Sequence, residues 1–349
     1  MGLYEMTRGT VHLAVLHRTE VMYVYKLHVP TPGRRAVQNK YPLHPFSPPR
    51  PHDHYLLRPL GLTVMTDQRW ALGGDLSVAR IGYGAMKLTG WPRGGRPDRE
   101  TALAVLHRAV ELGVNHIDTS NYYSRDGVAA NELIREALHP YPDDLVIVTK
   151  VGALVEGADI ALPAAEQNGL TPGNLRRGIE ANLRSLGLDR IDVVNLRMGD
   201  LDRTQTPVKA PLETLLALRD EGLIRHVGIS NVTASEFAEA REIAPIACVQ
   251  NLYNLSQRDD DPLVDACAQA GIAYVPYFPV GGFKPLTAQH LDAIAARHNA
   301  TVPQVALAWL LTRSPNILLI PGTGSLDHLE QNIGAGALTL TPEDLAQLN

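Results

Sequence analysis

Short apolar runs alternate with longer amphipathic stretches through most of this chain, and that alternation restricts its fold more than any other feature. The runs are Ala79–Gly82, NHID ending at Asp118, Leu145–Thr149, Ile191–Leu196, His226–Ser230, Ala247–Gln250, Ala273–Phe278 and Asn316–Pro321. They are continuous rather than alternating, the pattern of strands in a parallel sheet covered by helices on its faces. The stretches between them carry helical stripes. Ala102, Val105, Leu106, Ala109 and Val110 share a face after Asp98, and Leu175, Ile179 and Leu183 share one after Thr171–Pro172, with Gly187 closing that helix. Further helices are expected at 131–138, 212–220, 234–240, 262–270 and 326–333, with a pair inside 288–313. Eight strand–helix units over about 250 residues predict an α/β chain folded as a (β/α)8 TIM barrel. An open sheet binding a dinucleotide normally carries G-x-G-x-x-G after its first strand, and GYGAMK (Gly82–Lys87) lacks the third glycine. Ahead of the barrel, the text around Gly73–Gly74 predicts an N-terminal hairpin.

The first 64 residues read differently. They hold eight of the 25 prolines, and PFSPPRPHDH (Pro45–His54) can hold neither a helix nor a central strand, because proline lacks the amide donor. Leu13–Val29 is apolar enough for a strand or short helix but has no evident partner. The reading is a disordered or non-native extension over 1–64, with the domain spanning 65–349 and beginning naturally at Met65. A basic docking arm is the alternative.

Composition excludes several function classes. A formal net charge of −5 over 349 residues argues against nucleic acid as a partner. No apolar run has the length of a membrane span, and the first residues lack the charged, apolar and cleavable pattern of a secretory signal, so a cytoplasmic protein is expected. Cys248 and Cys267 read as two buried thiols in a reducing compartment. The histidines show no H-x-x-x-H pair, and RDDDP (Arg258–Pro262) reads as helix capping, so no metal is expected. Oligomeric state has no signal and stays open.

In a barrel of this kind the active site gathers at the carboxyl ends of the strands. Those ends present Gly84 to Met86, Asp118 to Tyr123, Lys150, Arg197, Ser230–Asn231, Gln250–Asn251, Tyr277–Phe278 and Gly322–Thr323. Taken singly, each is an ordinary structural residue. Together they place an aspartate, a tyrosine and a lysine where they can form a proton-donating site.

From Arg69 to the C-terminus the chain resembles the aldo-keto reductase family. The resemblance rests on NHIDTSNYY, VIVTKVG, IDVVNLR, GLIRHVGISN, VQNLYN, AYVPYFPVGGF and IPGTGSLDHLEQN. Within the family, VVNLR and YFPVGGF look most like bacterial reductases of the pyridoxal type. The resemblance implies a small-molecule carbonyl substrate, NADPH as cofactor with NADH as the alternative, and Asp118, Tyr123 and Lys150 as three members of a catalytic tetrad. Tyr122 is the rival proton donor. Where the family usually has histidine after the fourth strand this chain has Arg197, which can hold a developing alkoxide or attract an anionic substrate but cannot relay a proton. An arginine turned outward to an acidic helix residue is the structural alternative. Lys150 is expected to lower the Tyr123 pKa from about 10, with Asp118 holding the lysine charged. Cofactor contacts implied by the same matching are Gly84, Met86, Phe278 and Val280, with Tyr277 under the nicotinamide and Ser230, Asn231 and Gln250 at its carboxamide. Gly322, Thr323 and Ser325 would meet phosphate at a helix start, Gln331 and Asn332 the adenine, and His328 the 2′-phosphate. Two other classes compete: a nicotinamide-binding redox sensor with little turnover, and a phosphate-binding isomerase or aldolase using Lys150 as a Schiff base.

Overall fold

The computed structural model describes the backbone of residues 2–7, 10–17 and 20–28, and both backbone and side chains of 69–349 except 93, 153–168, 199–206, 283–285, 287–289 and 349. The chain divides into two units, Met1–Leu60 and Gly61–Asn349. In the first, β1 (Gly2–Thr7), β2 (Thr10–His17) and β3 (Glu20–His28) form an antiparallel sheet in that order, with an irregularity between Leu13 and Ala14. Within the stretch Leu13–Val29, apolar enough for a strand, the valine- and tyrosine-rich text of 20–28 pairs with 10–17. The proline-rich part of the expected extension lies outside the described residues.

In the second unit, β4 (Arg69–Leu72) and β5 (Leu76–Ala79) make the anticipated hairpin. Its turn uses Gly73 and Gly74 at φ 65° and 92°, and a Cβ on Gly73 would sit 2.8 Å from the His226 ring. Then follow β6 (Tyr83–Gly84), α1 (Arg99–Glu111) and β7 (His116–Asp118). A small hairpin, β8 (Ser124–Arg125) and β9 (Val128–Ala129), leads into α2 (Ala130–Leu138) and β10 (Val146–Val151). The chain continues through α3 (Pro172–Leu186), β11 (Ile191–Arg197), α4 (Lys209–Asp220), β12 (Ile224–Ser230), α5 (Ala234–Ile243), β13 (Cys248–Gln250), α6 (Asp261–Gln269) and β14 (Ala273–Tyr274). It ends with α7 (Leu291–Arg297), α8 (Val302–Arg313), α9 (Leu326–Gly334) and α10 (Pro342–Leu348), the last not anticipated from sequence.

The parallel sheet runs β14-β13-β12-β11-β10-β7-β6. The eighth run, Asn316–Pro321, joins through single bridges, Tyr274 to Ile317 and Ile81 to Leu319. Its hydrogen bonds reach both edges: Leu318 N to Tyr274 O at 2.9 Å and Gly82 N to Leu319 O at 2.8 Å. This run closes the barrel and removes both free edges. Arg80 fixes the closure from below, donating to the carbonyls of Leu311, Ser314 and Ile317.

Helix ends follow the sequence signals. Asp98 accepts from Thr101 N at 2.7 Å, Thr171 caps α3, and Gly187 ends it at φ 68°. The RDDDP run departs from the capping assignment. Asp260 makes no cap bond; its buried carboxylate accepts from Asn251 Nδ2 and Tyr274 OH, each at 2.7 Å, which ties a strand-end loop to the next stave. Cys248 and Cys267 are free and buried.

Because strand side chains alternate, every second residue faces the barrel axis. The lower interior is apolar: Leu72, Leu76 and Val78 of the hairpin pack on Val146, Val148, Val193, Ala247 and Leu318. The upper interior is where the polar strand ends converge.

Candidate active site

The register fixes which side chains meet at the mouth. Gly84 pairs with Asp118, Val148 with Asp118 and Val193, Lys150 with Asn195, Arg197 with Ser230, and Ser230 with Gln250. Each lies an even number of residues above an inward-facing core position of its strand, so Asp118, Lys150, Arg197, Ser230 and Gln250 all point into one volume. Lys150 Nζ donates to Asp118 Oδ1 at 2.6 Å and to the Thr119 carbonyl at 2.9 Å. The second carboxylate oxygen of Asp118 accepts from Gln250 Nε2 at 2.7 Å. Asp118 and Lys150 are each 3% exposed. A charge pair so deeply buried is costly unless it is hydrogen-bonded, and here each partner makes two hydrogen bonds.

Tyr122 and Tyr123 follow on the same loop, buried, with ring centroids 5.2 Å apart and edge-on. Lys150 Nζ lies over the Tyr123 ring, 5.1 Å from its centroid. The expected lowering of the Tyr123 pKa is not what this environment produces. Complete burial penalises the tyrosinate and pushes the phenol well above its usual range, and the Asp118 charge adds to the rise. The cation that opposes it is Arg197. Tyr122 is likewise pushed up to about 12, mainly by burial, with Arg197 and Lys150 acting against the rise. Both phenols are therefore held protonated.

Arg197 faces inward, so the outward-turned alternative does not apply. Its guanidinium lies over the Tyr277 ring at 5.7 Å from the centroid and close enough to Tyr122 and Tyr123 for each to favour its charge. No carboxylate pairs with it among the described residues.

The residues matched to the cofactor divide into two groups. Ser230, Asn231, Gln250 and Tyr277 gather at the mouth with the tetrad. Asn231, at φ 61°, donates from Nδ2 to Met198 O at 3.0 Å and accepts the Tyr277 hydroxyl on Oδ1 at 3.2 Å. Ser230 Oγ and Gln250 Oε1 are buried without a hydrogen-bond partner, so they offer a donor and acceptors to a primary amide. Phe278, at φ 56°, stands edge-on to Tyr277, and Val280 packs on the core. The second group lies at the closing strand. Gly84 and Gly322 press backbone to backbone, a Cβ on either coming 2.5 Å from a carbonyl oxygen of the opposing segment. Tyr83 donates to Thr323 O at 2.5 Å, and half-buried Met86 packs nearby against the α1 core. Ser325 caps α9, accepting from His328 N at 3.4 Å, and its own amide donates to Thr323 Oγ1. Asn332 is buried, Gln331 half-buried and His328 exposed along this helix, whose N-terminus can hold phosphate.

Two features are missed from sequence. Trp91, in the loop anticipated only as glycine-rich, sets its ring at a tilt to both tyrosines, 5.3 Å from Tyr123 and 5.7 Å from Tyr122 between centroids, and walls one side of the mouth. Asn182 lies in the middle of α3 and reaches the loop that carries the tyrosines, donating to Asn121 Oδ1 at 3.2 Å. Its signal was available. Asn182 falls on the apolar stripe of Leu175, Ile179 and Leu186, where a polar residue must find partners.

The barrel unit of this chain is similar to several known proteins. A model of the Aldo/keto reductase family matches residues 80–349. Pyridoxine 4-dehydrogenase of Escherichia coli K12 is 52% identical over 281 residues, covering 79% of this chain and 96% of that protein. An uncharacterized oxidoreductase of Schizosaccharomyces pombe is 38% identical over 280 residues, covering 79% and 87%. An aldo/keto reductase of Klebsiella pneumoniae solved with NADP and acetate superposes with a TM-score of 0.64 at 28% identity, covering 80% and 94%. A thermostable aldo-keto reductase solved with the inhibitor epalrestat gives 0.67 at 29%, covering 80% and 98%.

Proposed function

The chain belongs to the aldo/keto reductase family, and from that premise we propose that it reduces pyridoxal to pyridoxine with Tyr123 as proton donor. The broader activity is that of an NADP-dependent oxidoreductase acting on a small carbonyl. The observation that carries the finer reading is the buried Asp118–Lys150 pair beside a protonated Tyr123, with Arg197 across the mouth.

The mouth suits a nicotinamide carboxamide through Ser230 Oγ and Gln250 Oε1, and the α9 start suits the phosphates. Bound NADPH supplies a hydride to the carbonyl carbon. The protein's part is to place a proton on the carbonyl oxygen. Tyr123 holds that proton because its pocket disfavours the anion, and donation becomes favourable as the oxygen gains negative charge. The tyrosinate left behind faces Arg197, which lowers the cost of that charge. Asp118 and the Thr119 carbonyl hold the Lys150 side chain aimed at the same loop.

Pyridoxal carries an acidic ring hydroxyl beside its aldehyde, and the Arg197 guanidinium is the cation at the mouth placed to meet such a phenolate. Trp91 offers a face to its flat ring. A Schiff-base role would need a neutral Lys150 amine, whereas its ammonium is committed to Asp118 and Thr119. We further assign the activity to 65–349 in the cytoplasm, without a part for 1–64.

The test is NADPH absorbance with pyridoxal and with neutral benzaldehydes. Wild type should consume NADPH with both. Tyr123→Phe should lose activity by about 10³-fold. Arg197→Met should lose at least about tenfold more on pyridoxal than on an uncharged aldehyde, a difference of about 1.4 kcal/mol. Equal losses on both would remove the case for phenolate recognition, and full activity in Tyr123→Phe would reassign the donor.

A further inference from the structure

A buried polar network lies outside the barrel wall and touches each chain segment that carries the proton-transfer residues. Its centre is Asn182 of α3. Asn182 Oδ1 accepts from Thr149 Oγ1 at 2.6 Å and from Asn131 Nδ2 at 3.0 Å, while its Nδ2 donates to Asn121 Oδ1 and to the Gly178 carbonyl. Asn131 Oδ1 in turn accepts from Thr119 Oγ1 at 2.8 Å. Thr119, Thr149, Asn131 and Asn182 are all at most 1% exposed.

The connectivity is what matters. Thr149 precedes Lys150, Thr119 follows Asp118, and Asn121 lies two residues before Tyr123. The ammonium of Lys150 is held by Asp118 and by the Thr119 carbonyl, so the lysine spans from the segment at 149 to the segment at 119. Asn182 joins those same two segments from behind, one directly and one through Asn131, and adds the tyrosine loop.

We propose that Asn182 is a positioning residue that sets the spacing of Asp118, Lys150 and Tyr123 from outside the barrel. The proposal rests on the roles given to those three residues above. An amide suits the place because it accepts two hydrogen bonds and donates two more at a single buried point, and all four are made. Aspartate would present only acceptors to the Asn121 and Gly178 oxygens. Leucine would leave the Thr149 hydroxyl, an Asn131 N–H and the Asn121 oxygen unsatisfied. Loosening by about 1 Å is enough to cost on the order of 10²-fold in rate. The matched cofactor residues sit on β6 and the turn after it, at β12, β13 and α9, and in the loops after β14 and before α9. None of these supplies a residue to this network, so binding and chemistry should separate.

The test compares Asn182→Leu, Thr149→Val and Thr149→Ser in the full chain. Asn182→Leu should lower kcat on a carbonyl substrate by about 10- to 100-fold while the NADPH Kd, read by fluorescence quenching, changes less than twofold. Thr149→Val should show a smaller loss in the same pattern, and Thr149→Ser, which keeps the hydroxyl, should restore it. A readout independent of turnover is the Lys150 ammonium signal in ¹⁵N-lysine-labelled protein, assigned by its absence in Lys150→Met. That signal should be sharp in wild type and exchange-broadened in Asn182→Leu. If wild type turns over no carbonyl but the signal still changes as stated, the proposed function fails and the positioning role stands. Unchanged kcat and signal in the folded variants would overturn the role of Asn182. So would a loss of NADPH affinity as large as the loss in kcat. Should Asn182→Leu fail to fold, the valine and serine pair decides.

Discussion

The two ends of the barrel interior are built from the same staves yet obey opposite rules. At the lower end Leu72, Leu76 and Val78 of the hairpin fill the space against Val146, Val193 and Leu318, and burial keeps the neighbouring His116 neutral. At the upper end Asp118 and Lys150 form an ion pair at comparable burial, and the tyrosines around half-buried Arg197 favour its charge. The difference lies in partners. Lys150 has a carboxylate and a carbonyl, and Asp118 has an ammonium and an amide, whereas neither ring nitrogen of His116 makes a well-formed hydrogen bond. A buried group with partners can stay ionised and do chemistry; one without them goes neutral and serves packing.

Breaking the upper pair is the strongest challenge to that contrast. Lys150→Met should remove more than about 10³-fold of the activity and cost about 3–5 kcal/mol in stability, because Asp118 would keep only the Gln250 amide. Steady-state kinetics and urea unfolding of the same preparation check both. Activity within tenfold of wild type would mean that the charges at the mouth are structural after all.

The lower end gives a pH prediction of opposite character. Burial drives the His116 pKa from 6.5 down to about 4, with only the Ala79 carbonyl pushing back. Above 6.5 the ring is neutral in both states. Between 6.5 and 4 the unfolded chain takes up a proton that the folded one refuses, so stability falls as pH falls, by at most about 3 kcal/mol, and the effect levels off below 4. Urea midpoints at pH 7 and pH 4.5 should show that His116→Leu flattens this dependence. An unchanged slope would mean that the ring finds a partner on acidification.

How far the sequence reaches follows the same division. Asp118, Lys150 and Arg197 were legible because a charge ending an apolar run has few places to go, and parity along the strand fixes the rest. The barrel was legible from the alternation, including a closing stave that in the structure is only a series of bridges. The protonation of Tyr123 was not, since a chain shows which charges are neighbours but not how completely the phenol is desolvated. Arg197's choice of tyrosines over a helix acid needed the third dimension. Trp91 lies in a glycine-rich loop with no periodicity to place its ring, and Asn182 sits on a stripe that its apolar residues alone define. The pairing of 10–17 with 20–28 is not legible for a different reason: an apolar run does not show which segment it pairs with.

The smallest expected effect tests the contrast most finely, because it separates cofactor holding from stability at a single atom. Ser230 Oγ is buried at the mouth with no hydrogen-bond partner. In the free protein, removing an unsatisfied hydroxyl takes away a desolvated group and leaves no partner stranded, so Ser230→Ala should be neutral or slightly stabilising. With NADPH bound, the same deletion removes a hydrogen bond to the carboxamide, and the Kd should rise about three- to tenfold, the equivalent of about 1 kcal/mol. At the lower end no such split is available: truncating Leu72, which touches only packing partners, can lower stability but has no ligand to release. Thermal unfolding with and without saturating NADPH reads both quantities in one experiment. If Ser230→Ala destabilises the free protein and leaves the affinity unchanged, the hydroxyl belongs to packing and the boundary between the two ends must be drawn higher.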